Sequence, residues 1–296
     1  MRILVALDKN PYSDYVVRLV AELAGNTWAH VTLLGVETHV SPGELLDSQS
    51  AKTAGENAVA AVLDTYREAF LGFFGETDSP YGRHTSGYKL IQEKKGVVNL
   101  VYPEQHKRKN LTVKCRAGNA SREILAEAEQ IEADLIVIGC DPGTDCKWEG
   151  HADICGKIVK NANCSIFVVK EEKKPRMIDC CLDHDTVSQA SIELINQLVT
   201  LYHADLEIIG VADAKGLKSE VDRRMASILD YYVSRNIKAW VKVVDGLSLN
   251  SIIAQAAEKN LVAMWMGKES FLDKIFSKQR LEKLVTSAES SVLILR

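Results

Sequence analysis

The chain repeats itself, and this limits the fold more than any other feature, because each copy has to close a core of its own. Ile3–Asp8 (ILVALD) aligns with Ile178–Asp183 (IDCCLD) at an offset of 175, and the same offset lays AHVTLLGV, from Ala29, onto ADLEIIGV, from Ala204. Farther on, Gly118–Gly139 aligns with Gly246–Gly267 at an offset of 128, matching Ile124 with Ile252, Ala126 with Ala254 and Ala128 with Ala256. CSIFVVK, ending at Lys170, aligns with SSVLILR, ending at Arg296, at an offset of 126. Three ordered matches imply two domains, 1–170 and 176–296, joined by the charged linker 171–175, Glu171-Glu172-Lys173-Lys174-Pro175. The fall from 175 to 128 leaves the first copy 47 residues longer between Val36 and Gly118. We place the excess in an insertion at about 72–108.

Each copy opens as strand, turn, helix, strand. Leu4–Leu7 is an apolar strand, Asp8-Lys9-Asn10-Pro11 a turn, and Tyr15, Val16, Leu19, Val20 and Leu23 mark one face of a helix ending near Gly25. The continuous apolar runs Leu135–Ile138 and Ile166–Val169 suit strands covered on both faces, as in a parallel sheet between helix layers. The expected architecture is therefore α/β, two doubly wound parallel-sheet domains in tandem. Ligands of such sheets bind beyond the carboxyl ends of the strands, where the winding reverses and helix N-termini present amides. In copy one that singles out the loop opened by Asp8 and the loop after Gly139; in copy two, those after Asp183 and Gly267.

Of 296 residues, 46% are hydrophobic and 26% charged, enough for two cores, and the net charge of -4 offers no basic field to hold nucleic acid or an anionic membrane. The apolar run before Asp8 is too short for a signal-peptide core or a membrane span, so a cytoplasmic protein is expected. Seven cysteines, an odd number in a long chain, do not suggest a disulfide scaffold; most are expected to be reduced.

DLIVIG, Asp134–Gly139, followed by Cys164-Ser-Ile-Phe-Val-Val-Lys170, resembles the C-terminal signature of universal stress proteins. LVALD at the start and Arg116-Ala-Gly118-Asn119 leading into a helix with Ile124, Leu125 and Ala128 carry the same resemblance, which covers both copies outside the insertion. It implies adenine nucleotide alpha hydrolase-like domains that pair through their last strands. CSIFVVK and SSVLILR are thus expected antiparallel across a pseudo-twofold axis, forming an internal dimer, with a further homodimer open.

ATP-binding members of that family follow the strand with a glycine, two residues, a second glycine, nine residues, then glycine and serine or threonine, small residues that let amides reach phosphates. Here Gly139 is kept, but the second glycine falls on Pro142 and the final pair on Ala152 and Asp153. Gly143 and Gly150 lie close enough to rescue a distorted loop, while Asp141, Asp145, Glu149 and Asp153 repel phosphate and Lys147 and Lys157 offset them in part. The resemblance makes Asp8 the contact to the nucleoside portion; the alternative is an aspartate that caps a turn or helix. The candidate ligand residues are Asp8, Gly139, Gly143, Gly150 and Asp153, the ligand being an adenine nucleotide such as ATP or another small molecule. Copy two departs further, with Lys268-Glu269-Ser270 after Gly267 and no later glycine.

Other chemistry has less support. Cys140, Cys146, His151 and Cys155 lack the paired spacing of structural zinc sites. Cys180 and Cys181 sit in a strand and point to opposite faces, as core residues do. There is no G-x-S-x-G elbow, P-loop lysine or H-E-x-x-H helix, and His151 and His184 fall in loops. The insertion mixes Phe73, Phe74, Tyr81, Tyr88 and Tyr102 with Arg83, Lys89, Lys94, Lys95, Lys107 and Arg108, so a packed excursion, a lid and a docking surface for a protein partner are all open. The leading expectation is a non-catalytic stress-response or regulatory protein with a degenerate nucleotide-type site in the first copy. An ATP-hydrolysing enzyme of the same fold and a ligand-free scaffold are the alternatives.

Overall fold

The structure, a computed structural model, describes residues 1–41, 43, 45, 59–75, 79–85, 87–103, 107–143, 147–148, 151–182, 188–212, 219–266, 272 and 276–296. In the first half β1 (Arg2–Ala6), α1 (Tyr12–Asn26), β2 (His30–Glu37), α2 (Val59–Gly72), the hairpin β3 (Lys89–Lys94) and β4 (Val97–Val101), β5 (Leu111–Ala117), α3 (Ala120–Gln130), β6 (Leu135–Gly139), the short pair β7 (Lys147–Trp148) and β8 (His151–Ala152), α4 (Ile154–Asn161) and β9 (Ser165–Val169) follow one another. The second half runs β10 (Met177–Cys181), α5 (Gln189–Tyr202), β11 (Asp205–Ala212), α6 (Ser219–Val233), β12 (Ala239–Asp245), α7 (Leu249–Ala256), β13 (Leu261–Trp265), α8 (Lys278–Ser287) and β14 (Val292–Leu295).

One sheet of twelve strands joins everything, in the order β12-β11-β10-β13-β14-β9-β6-β1-β2-β5-β4-β3. Each half is parallel from its last strand outward, β9-β6-β1-β2-β5 and β14-β13-β10-β11-β12, and the two meet where β14 runs antiparallel to β9, Leu293 opposite Phe167. Alternate residues of the strands feed two cores. Ile3, Val5, Phe167, Cys180 and Leu293 pack under α1, α2, α5 and α6, whereas Leu4, Ala6, Ile166, Cys181 and Ile294 pack under α3, α4, α7 and α8. Both cores draw residues from both halves, so burial is continuous across the join.

The join is closed by reciprocal helix capping. Lys170, just past β9, sends its Nζ to the carbonyls of Ala288 (2.7 Å) and Thr286 (3.3 Å) at the end of α8, and its backbone N–H to Ser291 Oγ at 3.0 Å. Arg296, just past β14, sends its guanidinium to the carbonyls of Ala162 and Val159 at the end of α4, and its backbone N–H to Ser165 Oγ at 3.2 Å. Cations belong at helix C-termini, where four carbonyls lack intrahelical donors and the dipole is negative. Burial draws the Lys170 ammonium down to about 8.

Strand pairing revises one register read from the sequence. Ile3 lies opposite Leu135 on β6 and Ile178 opposite Leu261 on β13, so the offset at this strand is already 126 rather than 128. The two-residue deletion in copy two therefore precedes β13. The positional partner of Gly139 in the second half is Trp265, not Gly267.

Part of the insertion extends the sheet. β4 pairs antiparallel with β5, and β3 pairs with β4 at the outer edge. Lys114 of β5 bridges Glu93 of the hairpin (3.0 Å) and Glu127 of α3 (2.9 Å), and Arg116 holds Glu127 (2.7 Å) and Glu123 (2.8 Å). Glu127 is wholly buried, so these cations supply the partners its carboxylate lost with water. On the other side Tyr81, also buried, donates to the Ala29 carbonyl at 2.7 Å, and Tyr102 donates to Asp64 at 2.9 Å beneath the Arg67 guanidinium.

Candidate functional site

In the first half the chain leaves β1 toward β2 on one side and returns through β6 on the other, so the winding reverses between β1 and β6. The crevice of such a sheet lies beyond the carboxyl ends of these strands. Asp8, two residues past β1, and Gly139, the last residue of β6, stand at that place.

Asp8 is buried and surrounded by donors from its own loop. Its Oδ1 accepts from Asn10 N (3.0 Å) and Ser13 Oγ (2.9 Å); its Oδ2 accepts from Asn10 Nδ2 (2.5 Å) and the Tyr12 hydroxyl. These four bonds all come from residues within five positions of it, in a carboxylate that offers about four lone-pair sites. The bond to Asn10 N is an Asx turn, the conformation for which Asp is favoured after a strand. It delivers the chain into α1 with Pro11 at the cap position, where a fixed φ and missing N–H cost nothing. From α2, Tyr66 donates to the Asp8 carbonyl at 2.9 Å, and its hydroxyl is pushed up to about 12, first by burial.

Tyr12 is the residue that joins the two candidates. Its hydroxyl meets Asp8, and its ring covers Gly139: a Cβ built on Gly139 would lie 2.5 Å from Tyr12 Cδ2, 3.0 Å from Val16 Cγ2 and 3.2 Å from Tyr12 Cβ. The absence of a side chain at 139 is required by the approach of α1. Burial, then the Asp8 charge, raises the Tyr12 hydroxyl far above its ordinary range, so it acts as a fixed donor.

Gly143 and Asp153 are placed differently. Gly143 has φ +80, and its N–H donates to the Ala288 carbonyl at 3.1 Å, with Glu289 against its Cα, so this part of the loop docks on the second half. Asp153 is exposed, in the left-handed region at φ 64, and precedes α4 without capping it through its side chain. Gly150 lies outside the described residues, as do Asp145, Cys146, Glu149, Asp183, His184 and Gly267. Where Gly139 stands in the first half, the second carries the buried indole of Trp265.

Two further residues reach the crevice. The Lys147 carbonyl lies 2.9 Å from the Tyr12 hydroxyl, and the adjacent Trp148 is fully buried. Its Nε1 is a buried donor with no hydrogen-bond partner among the described residues, a condition that costs about 1–3 kcal/mol. Tyr12 and Trp148 were not singled out from sequence. Tyr12 is four residues from Asp8 at a helix start, a visible spacing, whereas Trp148 stands in a run of charges that reads as solvated loop.

Burial disfavours the thiolate at Cys115, Cys155, Cys164 and Cys180. Burial pushes Cys155, whose Sγ is 4.0 Å from the Gly139 carbonyl, and Cys115 up to about 12, and Cys164 up to about 11. Among the described residues five cysteines are thiols and Cys140 is held in a disulfide. Among the described residues no three His, Cys, Asp or Glu side chains converge as metal ligands, and no helix is long and apolar enough to cross a membrane.

The fold defines the class first: an α/β protein of two doubly wound parallel halves, with the winding of the first reversing between β1 and β6. The model of the universal stress protein family matches residues 1–170, more than half of the chain, and the chain belongs to that family. Among solved structures, a universal stress protein from Archaeoglobus fulgidus superposes with a TM-score of 0.60 at 15% identity, over 100% of this chain and 96% of that one. A protein described as a universal stress protein from Pseudomonas aeruginosa gives 0.57 at 15%, over 99% and 92%. At such identities the likeness is one of fold. No curated protein matches the chain.

Proposed function

We propose that this protein is a non-catalytic stress-response regulator in which two domains, 1–170 and 176–296, joined by the linker 171–175, form an internal pair, and in which the first domain keeps a degenerate nucleotide-type ligand site. The observation that carries the reading is the local engagement of Asp8: the carboxylate that the family resemblance assigns to the nucleoside accepts four bonds from Asn10, Tyr12 and Ser13. Gly143, the nearest rescuing glycine, has given its amide to Ala288, which leaves fewer amides for phosphate. A site stripped this way loses affinity and turnover together.

Gentle purification followed by mass spectrometry of released ligand, then calorimetry with ATP with and without magnesium, tests the reading. Bound or weakly binding adenine nucleotide without phosphate release is the expected result. Magnesium-dependent release of phosphate at a steady rate would sink the non-catalytic assignment, and absence of any nucleotide binding would sink the ligand site.

A second reading is docking of a protein partner through the insertion, whose outer strand β3 is exposed along most of its length at the edge of the sheet. Partner capture that survived removal of 72–108 from a folded chain would exclude it.

A further inference from the structure

The short hairpin after β6 lies against residues from both β1 and β2 sides of the crevice mouth. On the β1 side, the Lys147 carbonyl lies 2.9 Å from the Tyr12 hydroxyl, the same hydroxyl that meets Asp8. On the β2 side, the ring of His151 packs against that of His39, two residues past β2, with centroids 6.3 Å apart. Between these anchors Trp148 pairs with His151 in the β7–β8 register and is fully buried, in the same core as Ala6 of β1, Val36 of β2 and Cys155 of α4. Both anchoring histidines are exposed, so the hairpin lies over the surface and its tryptophan points inward.

A residue placed to fill a core normally has its polar atoms satisfied. Trp148 does not: its indole N–H is buried and without an acceptor among the described residues, and the Thr38 hydroxyl, next to His39, is likewise buried and unpartnered. Beside Tyr12 and Asp8 the core thus holds a planar bicyclic ring whose edge donor has no partner among the described residues.

We propose that Trp148 is the specificity-determining occupant of the first half's crevice: its indole stands in the space a planar heteroaromatic ligand, such as a purine nucleoside, would take, so that ligand entry and Trp148 displacement are one event. This rests on the ligand reading above. It adds a cause for weak binding that lies in a single side chain and not in the phosphate loop.

The test compares the full-length wild type with Trp148→Ala, using adenosine and free indole as probes, by calorimetry and thermal unfolding. Trp148→Ala is expected to bind adenosine at least tenfold more tightly than wild type and to gain thermal stability from it. Labelling with 5-fluorotryptophan gives a second measurement that does not depend on the alanine variant folding, with the Trp148 resonance assigned by its loss in Trp148→Phe. At saturating adenosine this resonance is expected to move while that of Trp240, far along the sheet, stays. Adenosine binding with equal affinity to both chains, or with the Trp148 resonance unmoved, overturns the proposal and leaves the ligand reading standing. Failure of adenosine to bind either chain, while a folded Trp148→Ala takes up indole, overturns the proposal together with the nucleoside reading beneath it.

Discussion

Gly139 decides between two accounts of the crevice, and Gly139→Ala in combination with Tyr12→Ala separates them. If the glycine serves α1 packing, the added methyl meets a ring atom at 2.5 Å and the Tyr12 Cβ at 3.2 Å. A ring held at its own Cβ does not escape by a terminal rotation, so the helix start has to shift. Overpacking of this kind costs about 1–3 kcal/mol, against which reduced unfolded-chain freedom returns about 0.4–1 kcal/mol. The net expectation is a loss of about 1–2 kcal/mol in the Tyr12 background. With Tyr12→Ala the 2.5 Å ring contact is gone, while Val16 Cγ2 at 3.0 Å and the residue 12 Cβ at 3.2 Å stay, and the same substitution is expected to cost less, by about 1 kcal/mol. Urea unfolding followed by far-UV circular dichroism gives the four values of the cycle, with an unchanged denaturant slope as the check that the transition is comparable. A cost at Gly139 that is the same with and without Tyr12 would refute the packing argument. The cycle also bears on ligand work, because a binding defect in any Gly139 variant mixes altered packing with altered contacts.

Three other outcomes follow from the geometry. Lys170 carries a pKa of about 8 against an ordinary 10.5, so between these values the unfolded chain binds more protons and stability rises with pH, by on the order of 2–3 kcal/mol; Lys170→Met is expected to lose that rise, read as the difference between the two unfolding profiles from pH 7.5 to 10. Glu127→Ala leaves Lys114 and Arg116 with one carboxylate each, Glu93 and Glu123, and is expected to cost about 1–3 kcal/mol in denaturant unfolding, more than an exposed glutamate such as Glu132. Asn119 accepts from Arg122 N at the start of α3, and Asn119→Ala is expected to cost about 1 kcal/mol with Asn119→Asp near neutral, measured in the same way.

The duplication was legible because buried parallel strands have little freedom of composition: Ile3–Leu7, Leu135–Ile138 and Ile166–Val169 are apolar on every residue and announce their place in the sheet. The antiparallel join of CSIFVVK and SSVLILR came from the family resemblance, and periodicity alone does not give it. The register at β13 was not legible, since Gly139 and Gly267 offered an attractive match and only strand pairing with Ile3 and Ile178 shows the shift. Asp8 was legible as a residue that matters and ambiguous in role, because an Asx turn and a ligand contact ask for the same side chain at the same place. The β3–β4 hairpin was hidden by its own edge position: Lys89, Gln92, Glu93 and Lys94 give β3 the polar character that protects an outer strand, and the same character hides it from a search for alternation. β7 and β8, two residues each, are too short to carry a period at all.

The crossed caps at the join have a consequence for symmetry. Two identical chains meeting about a true twofold must place the same residue at both ends of the junction, so any change appears twice. One continuous chain is released from that rule, and here the two ends differ: one is an arginine, whose charge is permanent, and the other a lysine whose charge is lost near pH 8. As pH rises, one corner of the junction becomes neutral while the other stays cationic. A symmetric junction has no means of loosening or tightening on one side alone; this one does.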